Sequence, residues 1–293
     1  VYQTIDPWND GPSAMTDISI WGYAMPQSWF SQDEARYLIG LPQTLPTVEW
    51  VWGEMDRVWR QFGLDNRTPL VDEPIGGFYK HPVWLMNGVF TALDPVSASH
   101  REAIARSLDA SGAKLIADYG GGFGQLALAI TRTVPGAKVS IIEPYPSRAG
   151  IEQLQSEPRI QFVSNVAADS YDAIVAQDVL EHVADPVGLA SELADSVHKG
   201  GIVIFANCFY PVIQCHLPST FHLRHTFPMV MTALGLRYVG AVEGASHAQV
   251  FERRGHLHLG RARTAECISR ILGPILNLAW TIMSRIKRLV LQK

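Results

Sequence analysis

Cysteine is scarce in this 293-residue chain, and Cys208, Cys215 and Cys267 show neither a C-x-x-C spacing nor an even count. That pattern gives no disulfide framework; it reads as reduced thiols and a cytoplasmic setting. No basic-then-apolar leader opens the sequence, and no apolar run reaches the ~18 residues a membrane span needs. An excess of basic charge is also missing. The net charge is -4, so composition gives no reason to expect nucleic acid as a partner. The Gly-Lys-Ser/Thr ending of a phosphate loop is absent. What is present is 47% hydrophobic and 18% charged, a globular composition with room for one large domain or two small ones.

The rest of the chain is organised around residues 113–124, Ala-Lys-Leu-Ile-Ala-Asp-Tyr-Gly-Gly-Gly-Phe-Gly. Lys114 apart, the run is apolar to Ala117, as in a strand buried on both faces. It breaks at Asp118 into a glycine turn, and Gln125 to Thr133 then reads as a helix. Strand, glycine turn and helix form a nucleotide-binding unit, in which glycine lets the backbone approach a ligand that a Cβ would exclude. Gly120, Gly122 and Gly124 follow Asp118 as D-x-G-x-G-x-G. The dinucleotide fingerprint G-x-G-x-x-G is not met, although its looser form ending in alanine fits Gly122, Gly124 and Ala127. Asp118 is the sharper clue. A carboxylate there opposes a pyrophosphate and suits a ligand with a cationic amino group. S-adenosylmethionine (SAM) carries such a group, and the stretch resembles the first motif of the class I SAM-dependent methyltransferases.

Lys138 to Ile142 is a β-branched run that ends at Glu143, nineteen positions past Gly124. An acid at the end of the second strand can accept both ribose hydroxyls. Its alternative is a surface carboxylate. Tyr145, in the turn Pro144-Tyr145-Pro146, is a candidate to stack on adenine. A short third strand, Ile160 to Val163, precedes Ser164 and Asn165, and Asn165 is a candidate for adenine amino contacts. Residues 171–186 then carry D-V-L-E-H-V-x-D-P after a fourth strand, Ala173 to Ala176. This run closely resembles the fourth-strand motif of SAM methyltransferases of the ubiquinone-biosynthesis type. The resemblance spans residues 98–254. It implies a Rossmann-like α/β sheet of seven strands with the last pair antiparallel. It also implies that Asp178 and His182 lie beside the methionine part of the cofactor. His182 has a second reading, as a histidine that hydrogen-bonds a loop. Asp185-Pro186 starts a helix as N-cap and first residue, and His198-Lys199-Gly200-Gly201 reads as its stop before a fifth strand, Ile202 to Ala206.

The flanks differ from this centre. Residues 1–97 hold seven of the eight tryptophans, Trp8 among them, and open with an irregular Pro-, Gly- and Asp-rich stretch. Ser31 with Glu34 resembles a capping box, Thr47 caps a second helix, and His81 to Leu93 reads as a third. The segment is either a helical subdomain with an aromatic core or a lid over an acceptor pocket. Residues 98–255 form the SAM-binding domain under this reading. Beyond the fifth strand, His216, His222 and His225 cluster in one loop. Their spacing is not that of a zinc site with thiols, so no metal is expected. His182, His222 and His225, in that order, are candidates for a general base. Residues 256–293 show an apolar helical face in which Pro274 either kinks the helix or starts a second one, with Arg285, Lys287, Arg288 and Lys293 at its end. Residues 265–293 suit packing on the protein, a homodimer contact or the surface of an anionic membrane.

Together these readings give a SAM-dependent methyltransferase acting on a small-molecule acceptor, most simply an oxygen on a sugar, lipid-linked or secondary-metabolite substrate. Two other readings stay open: an NAD(P)-dependent oxidoreductase, and a non-catalytic partner protein that keeps the SAM fold.

Overall fold

The computed structural model describes residues 17–291, the last four as helix backbone alone. Trp8, the Arg288 side chain and Lys293 therefore lie outside the described residues. The chain opens with a hairpin, β1 (Asp17–Ile20) and β2 (Tyr23–Pro26), where irregular structure was expected. Ile18 and Ile20 point inward while Asp17 and Ser19 point out, the period of a half-buried strand. Trp21 and Gly22 both take positive φ, as a two-residue type I′ turn requires.

Helix α1 (Gln32–Ile39) begins with the anticipated capping box: Ser31 accepts from the Glu34 N–H and Glu34 from the Ser31 N–H. Thr47 caps α2 (Val48–Gln61), which buries Val51, Met55, Val58 and Trp59 along one face. Two further helices follow, α3 (Asp72–Lys80) and α4 (Val83–Leu93), where one was expected. The break falls at His81-Pro82, because proline disfavours helical backbone in the residue before it.

Helix α5 (Pro95–Ser111) leads into the sheet. Next come β3 (Leu115–Tyr119), α6 (Gln125–Thr133), β4 (Lys138–Ile142), α7 (Arg148–Leu154), β5 (Ile160–Val163), β6 (Tyr171–Gln177) and α8 (Pro186–Asp195). Then β7 (Val197–Ala206), α9 (Phe227–Leu234), β8 (Leu236–Val242), β9 (Ala245–Arg253) and α10 (Leu259–Leu291) complete the chain. The seven strands lie in the order β5-β4-β3-β6-β7-β9-β8. All neighbours are parallel up to β7, and β9 runs antiparallel to both β7 and β8. Strand order reverses between β3 and β6, and in open α/β sheets the crevice at that switch point, outside the strand ends, binds ligands. Asp118 and Asp178 emerge there on adjacent strands.

Three further expectations are corrected. His198-Lys199-Gly200-Gly201 does not stop a helix but lies within β7. A bulge between Tyr171 and Ala173 absorbs it, and a Cβ at Gly201 would lie 2.5 Å from the Asp172 carbonyl. Pro274 neither ends nor restarts the last helix, which runs unbroken for 33 residues. Over Leu259–Lys287 that helix is long and apolar enough to cross a membrane by length and composition, where no such run was expected.

The N-terminal helices build a third core that shares Phe123, Ala149 and Cys215 with the sheet domain. Polar ties fix them over the carboxyl edge of the sheet: Asp56 accepts the Gln214 N–H at 2.6 Å, and Tyr23 donates to Gln153 at 2.9 Å.

Gly124 caps α6 with φ +79°, and a Cβ there would collide with Leu154 of α7. Gly136 has a similar φ of +74° but open space around it. Gly124→Ala should destabilise the chain by ~2–4 kcal/mol in urea unfolding, against ~1 kcal/mol for Gly136→Ala. Equal losses at the two positions would contradict the packing role.

Candidate functional site

A cavity of about 820 Å³ opens between the carboxyl ends of β3, β4 and β6 and the overlying α3, α4 and α5. Its volume falls in the range of small-molecule sites. Asp118 forms its floor. The side chain is 2% exposed, and Oδ2 has no hydrogen-bond partner among the described residues. Burial, with the Glu143 charge adding to it, pushes this carboxyl up to about 7.

The glycine turn above Asp118 divides its work. A Cβ at Gly120 would meet Val179, and one at Gly121 would lie 2.8 Å from Asp118 Oδ2. At Gly122 the space is open, with φ +51°. Gly120 and Gly122 line the cavity, whereas Gly124 serves the α6–α7 contact and is not part of the wall.

Glu143 lines the cavity where β4 ends. Its Oε2 accepts the Gly122 N–H at 2.9 Å and its Oε1 accepts the Tyr145 N–H at 3.0 Å. The carboxylate thus braces the glycine turn and the proline turn, and each oxygen keeps a second lone pair. Tyr145 stacks parallel on Tyr79, with ring centroids 5.5 Å apart. One of its faces is therefore already covered. Tyr79 continues onto Trp84, which meets His182 edge-on at 6.3 Å. These rings make an aromatic wall across the cavity. Asn165 is not brought to it; this exposed side chain bonds its neighbour Ser164 at 3.3 Å.

Asp178 leaves β6 with φ +53°, a conformation uncommon outside glycine, fixed by its N–H donating to the Ala206 carbonyl at 2.8 Å. It is exposed toward the cavity. His182 lies one short 3₁₀ turn further on, with Nδ1 3.1 Å from the Cys215 carbonyl. A carbonyl only accepts, so Nδ1 carries the proton and Nε2 the lone pair. Burial, reinforced by the neighbouring His216, drives this imidazole down to about 3 and keeps it neutral.

The other two histidine candidates are elsewhere. His222 is buried with Nε2 3.7 Å from Glu266 of α10, and the His225 ring lies 5.5 Å from Trp280 of the same helix. Neither lines the cavity, because the segment that carries them packs against α10. Both are removed as base candidates.

Residues unremarked in the sequence complete the site. Arg101 of α5 is 8% exposed, lines the cavity and has no hydrogen bond or ion pair among the described residues. It shares a helix face with Ile104, Ala105 and Leu108, all buried, so the signal was an arginine at core spacing. Trp84 Nε1 and Gln125 Nε2, on the same cavity, are buried donors without partners. Glu181 is fully buried behind His182; its Oε1 accepts the Cys208 N–H at 2.7 Å and its Oε2 is unpaired. Ligand atoms of Glu181, Cys208 and His216 lie within 4.8 Å of one another. Burial holds both acids of this group protonated, Glu181 up to about 8 and Cys208 up to about 12.

Comparison with known proteins identifies the family and the fold. A family model described as a methyltransferase domain matches residues 98–254, more than half of the chain. A ubiquinone biosynthesis O-methyltransferase of Xanthomonas axonopodis pv. citri is 29% identical over 128 residues, 40% of this chain and 52% of that one. Its counterpart in Xanthomonas oryzae pv. oryzae is 32% identical over 120 residues, 38% of this chain and 48% of that one. The chain thus spans about half the length of these curated relatives. The structure of human N-acetylserotonin methyltransferase in complex with SAM is 17% identical, with a TM-score of 0.50. The likeness covers 76% of this chain and 70% of that one, and it is one of fold.

The raised Glu181 carboxyl has a measurable consequence. Between about pH 5 and 8 the folded chain keeps a proton there that the unfolded chain has released. A group raised in this way favours folding at low pH and costs stability as pH climbs toward 8. Glu181→Gln removes that titration. Its stability relative to the parent should therefore rise by ~2–4 kcal/mol from pH 5 to 8 in urea unfolding. A pH-independent difference would contradict the buried, unpaired acid.

Proposed function

The chain belongs to this methyltransferase family, and on that premise we propose that it catalyses SAM-dependent methyl transfer to a hydroxyl of a small-molecule acceptor. One observation carries the reading. Two groups of opposite charge that lack a hydrogen-bond partner among the described residues, Oδ2 of the buried Asp118 carboxyl and the Arg101 side chain at 8% exposure, line one cavity. Unpaired buried charge is costly, so each calls for a ligand group of opposite sign. An amino-acid zwitterion supplies both.

The residues present fit SAM. Asp118 would take its ammonium and Arg101 its carboxylate, with Gly120 and Gly122 leaving room for the backbone to close on it. Glu143 would receive the ribose hydroxyls on its remaining lone pairs. The uncovered face of Tyr145 would take the adenine, and Asp178 would border the methionine side. When bound, SAM supplies a methyl group on a sulfonium, whose thioether leaves without needing a proton. The chain's part is then alignment, which contributes roughly 7–11 kcal/mol where reacting groups are held in line. His182 holds a neutral imidazole with Nε2 free to accept the proton as the attacking oxygen becomes oxonium-like, which an imidazole held down to about 3 is still basic enough to do. Oxygen as acceptor is supported by the O-methyltransferase relatives. The wall formed by Tyr79 and Trp84 suits an acceptor with an apolar or planar body. An oxidoreductase reading is disfavoured, because Asp118 would set a negative charge near a pyrophosphate.

Calorimetric titration with S-adenosylhomocysteine, with NADH as control, tests the reading. Binding of the first alone is expected. Asp118→Asn and Arg101→Leu should each weaken it at least tenfold, about 1.4 kcal/mol. Binding of NADH alone would overturn the proposal, and undiminished affinity in both variants would remove the zwitterion assignment. For turnover of an acceptor found with labelled SAM, His182→Ala should lower kcat about a hundredfold or more while leaving S-adenosylhomocysteine affinity within about threefold. Unchanged kcat would dismiss His182 as the base. Binding without turnover of any hydroxyl acceptor would favour a non-catalytic partner role.

A further inference from the structure

Helix α10 lies beyond the residues matched by the family and takes no part in the cavity. One side of it is anchored. Glu266 and Ser269 are buried, and the Thr226 hydroxyl bonds Ser269. Gly273 sits against the His222 backbone so closely that a Cβ would clash, and Asn277 donates to the Phe221 carbonyl at 3.0 Å. Positions 266, 269, 273, 277 and 280 recur at three and four, so they form a single face. The opposite side is apolar and bare. Ile268, Ile271, Ile275, Leu278, Ile282 and Ile286 run along it, and Ile271 and Leu278 are 70% and 62% exposed. Leu272, Leu276 and Met283 widen it beyond the two-in-seven stripe of a coiled-coil seam.

Charge selects the occupant. After Glu266 the sequence contains no acid, while Arg270, Arg285, Lys287, Arg288 and Lys293 are basic. A second copy would bring cations onto cations whether the helices ran parallel or antiparallel. An anionic lipid surface complements both the apolar face and the basic end. Anchoring of the other side to α9 and to the 218–223 segment keeps the helix flat on the body instead of crossing a bilayer.

We propose that α10 is an interfacial membrane helix, its apolar face entering the head-group and acyl boundary of an anionic bilayer and its basic end resting on the lipid head groups. The catalytic cavity would then be held beside a membrane. This inference does not depend on the reaction assigned above.

Cosedimentation of the full chain with vesicles tests it. Binding is expected to phosphatidylcholine vesicles containing phosphatidylglycerol, and to fall with added salt and on vesicles of phosphatidylcholine alone. Arg285→Gln with Lys287→Gln should weaken it about thirtyfold, from ~1 kcal/mol per basic residue. Ile271→Asp with Ile275→Asp and Ile282→Asp should abolish it while near-ultraviolet circular dichroism stays unchanged. The proposal is overturned if the chain ignores both vesicle types, or if it forms a dimer that these aspartates dissociate. Protein that resists alkaline carbonate extraction would overturn it too, in favour of a spanning helix.

Discussion

A carboxylate shut beneath a glycine turn, with one oxygen unpaired, is the constraint on which the carboxyl edge of the sheet depends. Asp118 is the penultimate residue of a strand that is hydrogen-bonded on both sides, so its backbone cannot move to release the side chain. Gly121 has no room for a Cβ because that carboxyl stands beneath it. Glu143 holds the turn by the Gly122 N–H, and its negative charge adds to the burial that raises Asp118. The free chain therefore carries an unfavourable electrostatic arrangement that a cationic ligand group relieves. Arg101 of α5 is its counterpart on the roof, desolvated by burial and without a hydrogen bond among the described residues, Asp94 being the acid that acts on it most.

The roof explains why the N-terminal helices belong to the site. They contribute Tyr79 and Trp84 to the cavity beside Arg101 of α5, and they are joined to the loop after β7 through Asp56 and Gln214. That same loop supplies the Cys215 carbonyl that sets the His182 tautomer. Roof, loop and imidazole are thus one connected unit. Beside it, α10 is anchored through a polar face and leaves an apolar one bare, so the body has a cavity edge and an oily flank.

What could be read from sequence follows from how local each demand is. The β3 turn was legible because a glycine needed for positive φ and an acid at a strand end announce themselves within seven residues. The ends of α6, β4 and β5 were legible because apolar period and turn residues change together there. The hairpin at 17–26 was hidden by its brevity, although Ile18, Ile20 and Gly22 carried its pattern. Gly200-Gly201 reads like a helix stop in isolation and becomes a bulged strand only once Asp172 lies beside it. Site side chains depend on direction, which the chain alone does not disclose. His222 and His225 are histidines like His182 but are turned away by α10, while the core spacing of Arg101 in α5 marks its burial and not the cavity it lines.

The most direct measurement is the number of protons released when S-adenosylhomocysteine binds, taken from calorimetry in buffers of different ionisation enthalpy. Asp118, raised to about 7 in the free chain, is about half protonated at that pH, and an ammonium placed against it draws it down. The account predicts release of roughly half a proton at pH 7, vanishing near pH 9 and absent in Asp118→Asn. Binding with no proton release, or with uptake, would contradict the pairing of Asp118 with the cationic end of the ligand.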